Sequence, residues 1–197
     1  MKQIVGLLAV VMVLVLGINA HAIEIEFTHT GIGSGTLAGN GFFDCAFTII
    51  ALGDTDNRQA AGSLWWIPHD SASISIESLG LFEFNVYTAT FVENYTLTAG
   101  LCRSDAGGDY DMDLYDGPSN ALLGNWDMLS SIGPIADSDF ELLQWDWPSV
   151  QTTGGTLEFY NEENISGTFE AKIIPEPSTL IMLGMGFVGI FCVRRRK

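Results

Sequence analysis

Apolar and polar residues alternate with period 2 along most of this chain, and that alternation restricts it to β-structure. Ile23-Glu24-Ile25-Glu26-Phe27, Ser73-Ile74-Ser75-Ile76 and Leu81-Phe82-Glu83-Phe84-Asn85-Val86-Tyr87 each place one residue type on each face of an extended strand. Phe42 to Leu52, Thr90 to Thr98, Gly108 to Tyr115, Glu141 to Trp147, Thr156 to Tyr160 and Gly167 to Ile173 are further strand segments rich in β-branched and aromatic residues. Turn-forming clusters separate them: Gly31-Ile32-Gly33-Ser34-Gly35, Gly53-Asp54-Thr55-Asp56-Asn57, Asp116-Gly117-Pro118-Ser119-Asn120 and Thr152-Thr153-Gly154-Gly155. No long segment carries the 3.6-residue period, and no fixed repeat or internal linker is present. The expectation is an all-β domain, an antiparallel β-sandwich of jelly-roll or Greek-key type.

Both ends follow other rules. Residues 1–22 have the three parts of a secretory signal: Lys2, an uncharged apolar run from Ile4 to Ile18, and Ala20-His21-Ala22 as a small-x-small cleavage site for signal peptidase. At the other end, Pro175-Glu176-Pro177 precedes an uncharged run from Ser178 to Val193, closed by Arg194-Arg195-Arg196-Lys197. Sixteen helical residues would cover about 24 Å, so flanking residues and snorkelling arginines must complete one transmembrane helix. The terminal cations hold that end in the cytoplasm and the domain outside.

The intervening residues 23–174 form one acidic domain of common single-domain size. They hold 23 of the 24 acidic residues but only Arg58, Arg103 and Lys172 among the 8 basic ones, a net charge of −20. Nucleic acid is excluded as a partner, because phosphate binding needs clustered cations.

The C-terminal pattern resembles the PEP-CTERM sorting signal of Gram-negative bacteria over residues 175–197. The resemblance implies recognition by an exosortase-type membrane transpeptidase, removal of the tail, and export to the cell surface or extracellular matrix. The inner membrane would be a transient station, with the ectodomain in the periplasm. The domain is similar to a recurring type of PEP-CTERM ectodomain at Phe27 to Leu37, Ser131 to Ile135, Leu142 to Trp145 and Gly154 to Leu157. That type brings no assigned chemistry.

Candidate sites are few. Asp109, Asp111 and Asp113 alternate along one segment, flanked by Asp105 and Asp116. On a straight strand the alternate carboxylates lie about 6.7 Å apart, so one Ca²⁺ would reach two at most without a loop or a neighbouring strand. A solvated strand face is the plainer reading, with no cofactor required. Trp65 and Trp66 are adjacent, so they point to opposite faces, and an outward one could stack on a sugar. Trp145 and Trp147 share a face with Leu143 and read as core. Asp44 and Glu83 sit in apolar runs and read as outward positions. Cys45 and Cys102 remain once the tail, with Cys192, is removed, and an oxidising export route suggests a disulfide between them. G-x-S-x-G, H-E-x-x-H and C-x-x-C are all absent.

The chain thus reads as a non-enzymatic structural component of an exopolysaccharide or biofilm matrix. The rival readings are a lectin-like carbohydrate-binding module and a polysaccharide-active glycoside hydrolase or lyase.

Overall fold

The computed structural model describes residues 23–104, 110–146 and 149–175, with the side chains of residues 110 and 111 set aside. The described residues form twelve strands: β1 (Glu24–Leu37), β2 (Asn40–Asp54), β3 (Gln59–Ala61), β4 (Leu64–Ile76), β5 (Gly80–Glu83), β6 (Thr88–Glu93), β7 (Thr98–Ser104), β8 (Tyr110–Ser119), β9 (Ile132–Leu142), β10 (Val150–Thr152), β11 (Gly155–Phe159) and β12 (Glu162–Ile174).

Eight strands close into an antiparallel barrel in the order β1-β2-β4-β6-β7-β8-β9-β12, with β12 returning to β1. The expected all-β class is correct, and the expected sandwich is corrected to a barrel. The reason lies in β1, which is bonded along both edges. Glu24 to Thr30 pair with β12, while the whole strand from Glu24 to Leu37 pairs with β2. No open edge remains on that circuit, so it forms no second, facing sheet.

The short strands extend this wall. β4 changes partners along its length, pairing with β3 and β6 from Leu64 to Pro68 and with β2 and β5 from His69 to Ile76. At the lower end, β11 pairs with Gly35–Leu37 of β1, and β10 pairs with β11. The chain beyond β5 then meets β10, where the Asn85 N–H donates to the Gln151 carbonyl at 2.8 Å. That contact closes the lower end a second time. Trp145 fills it, fully buried against Phe159 and Phe84, its indole N–H donating to the Leu114 carbonyl at 2.6 Å.

Side chains fill the barrel interior. Phe27, Phe47, Tyr115, Phe140, Phe159 and Phe169 are all buried, and Tyr115 stacks on Phe140 with centroids 5.1 Å apart. This crowding explains why the expected Gly31–Gly35 turn is strand instead. A Cβ on Gly31 would stand 2.7 Å from Phe47, and one on Gly33 would stand 2.7 Å from Leu142. The glycines are small inward positions facing large rings, and their main chain runs on as β1.

Other boundaries shift too: β8 runs through the expected Asp116–Asn120 turn as far as Ser119. Thr90 to Thr98 is a hairpin, not one strand, turning between Glu93 and Thr98. Of the expected strand Glu141 to Trp147, Glu141 and Leu142 belong to β9, the described residues 143–146 belong to no named strand, and Trp147 lies outside the described residues. The Gly53–Asn57 turn is as read, with the Asp54 carboxylate accepting from the Asp56 N–H at 2.8 Å to start a 3-10 turn.

Candidate functional site: an acidic groove on the outer wall

The site is built from cross-strand rows on the outer face of β4, β6, β7 and β8. Trp66 pairs with Phe91, Phe91 with Gly100, and Gly100 with Asp116. One row above, Leu64 pairs with Glu93 and Glu93 with Thr98. One row below, Ala89 pairs with Cys102 and Cys102 with Asp113. Paired residues share a face, so these side chains gather on one patch. All of these except Ala89 and Gly100, together with Thr96 of the β6–β7 turn, line a groove of about 420 Å³. Gly100 is needed at its floor, because a Cβ there would stand 2.5 Å from the Phe91 ring.

The wall holds Asp113 and Asp116 on the same face although they are three residues apart. Strict alternation would have opposed them. A register shift makes the difference: Leu101 pairs with Tyr115 and Cys102 with Asp113, leaving Leu114 as an extra residue in β8. Leu114 and Tyr115 are both fully buried, and the bulge swings Asp116 round to join Asp113. No pattern in the sequence marks this extra residue.

Asp116 is electrostatically unusual. Burial first, then the Asp113 carboxylate, push its carboxyl up to about 6, with Glu141 and Asp139 adding to the effect. The Gly117 N–H, donating at 3.0 Å, acts against them. Asp139 and Glu141 line a smaller polar cleft of about 210 Å³ that shares Thr98 and Asp116 with the groove. The acidic surface is therefore continuous from Glu93 to Glu141. Groove-lining Trp66 has its indole nitrogen buried with no hydrogen-bond partner.

Trp65 and Trp66 do face opposite ways. Trp66 lines the groove, whereas Trp65 packs on the barrel core and is capped by the Arg58 guanidinium, 4.4 Å from its ring centroid. Arg58 is held in turn by Asp127, by an ion pair at 3.3 Å and a hydrogen bond to its carbonyl at 2.6 Å. Trp65 is thus a structural residue and Trp66 the candidate ligand contact. Asp44 and Glu83 are exposed, as expected of outward positions.

Of the acidic series, Asp105 and Asp109 lie outside the described residues, as does the Asp111 side chain. Asp113 and Asp116 meet at the groove. Among the described residues, no group of three or more His, Cys, Asp or Glu side chains is arranged to hold a metal ion.

The expected Cys45–Cys102 disulfide is corrected: the structure does not join these two cysteines. Two strands, β4 and β6, separate β2 from β7, which is roughly 14 Å along the wall at about 4.8 Å per strand. A bridge needs Cα atoms within about 7 Å. Cys45 packs against the interior cluster, while Cys102 belongs to the outer layer with Ala89 and Phe91.

The terminal segments lie outside the described residues: the signal region 1–22, with Ala20 and Ala22, and Glu176 to Lys197. Among the described residues no helix is long and apolar enough to cross a membrane. Residues 174–197 match the family model of the PEP-CTERM protein-sorting motif. The chain carries that sorting signal, which marks it as a surface protein processed by an exosortase-type enzyme. No curated protein and no solved structure matches the chain.

Proposed function

We propose that the protein is a non-catalytic component of an extracellular polysaccharide matrix, and that its outer groove holds the polysaccharide. The observation that carries this reading is the row Trp66–Phe91–Gly100–Asp116, an aromatic surface bordered by carboxylates. Sugar rings present apolar C–H faces to aromatic rings and hydroxyls to carboxylates, and the groove offers both. Its volume falls within the usual range for small-ligand sites. The sorting motif supports delivery to the surface, where such a ligand is met. The route runs through signal peptidase and a transient stay in the inner membrane of a Gram-negative cell, with the barrel in the periplasm. A glycan array probed with the surface-recovered protein tests the reading. Binding should be present and fall at least tenfold in Trp66→Ala; a blank array would refute it.

One observation favours a second reading, a polysaccharide-active hydrolase or lyase. Asp116 holds its proton to about pH 6 beside the Asp113 carboxylate, the kind of pairing a general acid needs. Release of reducing ends from the host polysaccharide, lost in Asp116→Asn, would establish it in place of the first.

A further inference from the structure

We infer that, while the sorting tail still holds the chain in the membrane, the barrel stands end-on upon an uncharged lipid surface and seats the side chains of Tyr95, Leu97 and Leu122 in it. This seat is independent of what the groove holds. The strand count places both chain ends together. Every neighbouring pair on the eight-strand circuit is antiparallel, so the last strand ends where the first begins, and Ile174 pairs with Glu24. An odd number of strands would have sent them to opposite ends. The β2–β4, β6–β7 and β8–β9 connections lie at this upper end, opposite β10 and β11. Both chain ends are pinned there: the Thr55 N–H donates to the Ile23 carbonyl at 3.0 Å, and the Ile173 N–H to the Ser131 hydroxyl at 2.9 Å. Only Pro175-Glu176-Pro177 then separates Ile174 from the uncharged run that opens at Ser178. Four extended residue steps reach about 14 Å at most. The sorting motif anchors the chain in the membrane before release, so the upper end is held within that reach of the bilayer.

That end presents apolar side chains. Tyr95 is 86% exposed and Leu122 64%, and Leu97 is exposed too. The two loops that carry them form one surface: the Asn94 side-chain amide donates to the Leu123 and Trp126 carbonyls, and the Asn120 N–H to the Leu97 carbonyl at 2.8 Å. A tyrosine, with an apolar ring and a polar tip, suits the boundary between membrane and water. A barrel of eight strands is roughly 15 Å across, so no upper-end loop is far from the tether. Phe43, Leu81 and Tyr87 are exposed towards the lower end, so exposure alone does not choose an end; the tether does. Asp56, Glu93 and Asp127 stand at the upper end, so anionic lipid opposes the seat and zwitterionic lipid suits it.

The test uses the full chain reconstituted into phosphatidylcholine vesicles. Cys45→Ser and Cys192→Ser remove competing thiols, Cys102 being buried, and a fluorophore is attached through Leu122→Cys or, at the lower end, Tyr87→Cys. Brominated lipid should quench the probe at position 122 at least threefold more than the probe at position 87, and aqueous iodide should show the reverse order. Adding Tyr95→Ser/Leu97→Ser should lower lipid quenching at position 122 at least twofold. Replacing a third of the lipid with phosphatidylglycerol at low salt should do the same, and 0.5 M salt should restore the quenching. Weak lipid quenching at both positions would show a barrel standing off on its tether and overturn the seat. Equal, strong quenching at both would lay the barrel on its side and overturn the end-on placement. Quenching at position 122 that Tyr95→Ser/Leu97→Ser leaves unchanged would overturn the role of those side chains. Shielding of position 122 from iodide without lipid quenching, lost at one chain per vesicle, would put a second copy of the chain on this face and overturn the lipid assignment.

Discussion

His29 and His69 meet at one hydroxyl inside the barrel: the Thr90 Oγ1 lies 3.2 Å from His29 Nε2 and 3.0 Å from His69 Nε2. The second nitrogen of His69 is 2.8 Å from the Thr88 hydroxyl, while His29 Nδ1 is buried without a partner. One hydroxyl can donate to only one ring, so the other ring must donate to it, and two neutral imidazoles satisfy that geometry. Burial holds both rings far below the ordinary histidine range, at about 3, and at His69 the neighbouring His29 adds to the effect.

The fold should therefore weaken as pH falls from about 6.5 towards 3. In that window the unfolded chain protonates both histidines and the native barrel protonates neither, so stability rises with pH at roughly 1.4 kcal/mol per unit for each. Asp116 opposes this below pH 6, because its native carboxyl binds a proton more readily than the unfolded one. Its partial exposure reduces that share. Two histidines outweigh one aspartate, so urea denaturation between pH 4 and 6 should show stability falling with acid. Asp116→Asn should steepen the fall, and a flat profile would contradict the buried neutral pair.

Alanine at the inward glycines of β1 should be costly. In Gly31→Ala and Gly33→Ala the new methyl meets Phe47 and Leu142 at 2.7 Å, and overpacking of this kind costs about 1–3 kcal/mol. Gly39→Ala has nothing within 4 Å, but its φ of +81° makes alanine unfavourable by about 1 kcal/mol. Thermal melts should rank the two interior variants below the turn variant.

The two domain thiols should behave differently in the native protein. Cys45 is partly exposed and Cys102 buried, so an alkylating reagent should label Cys45 first. Denaturation without reductant should then expose Cys102 to labelling. Recovery of a Cys45–Cys102 cross-linked peptide would refute their separation across the wall.

Sorting should leave a defined product. Intact-mass analysis of the surface form should show a start near Ile23 and an end near Pro175–Pro177, with Cys192 and the Arg194–Lys197 tetrad removed. Replacing Pro175-Glu176-Pro177 with alanines should leave the tail attached and deplete the surface form.

Some of this protein is legible from its residues in order. The sorting signal, the acidic balance, the all-β class and the opposed faces of Trp65 and Trp66 depend on local composition or on alternation, which one chain segment states by itself. Closure of the sheet depends on β1 pairing with both β2 and β12, segments separated by more than a hundred residues, and alternation looks the same in a sandwich and a barrel. The groove depends on Leu114 being one residue too many against β7, a mismatch between two strands that neither strand shows alone. Gly31 and Gly33 read as turn residues until Phe47 and Leu142 occupy the space their missing side chains leave. Local chemistry fixed what each segment can be; which segments meet, and which carboxylates then share a face, was decided by contacts that exist only after the chain has closed on itself.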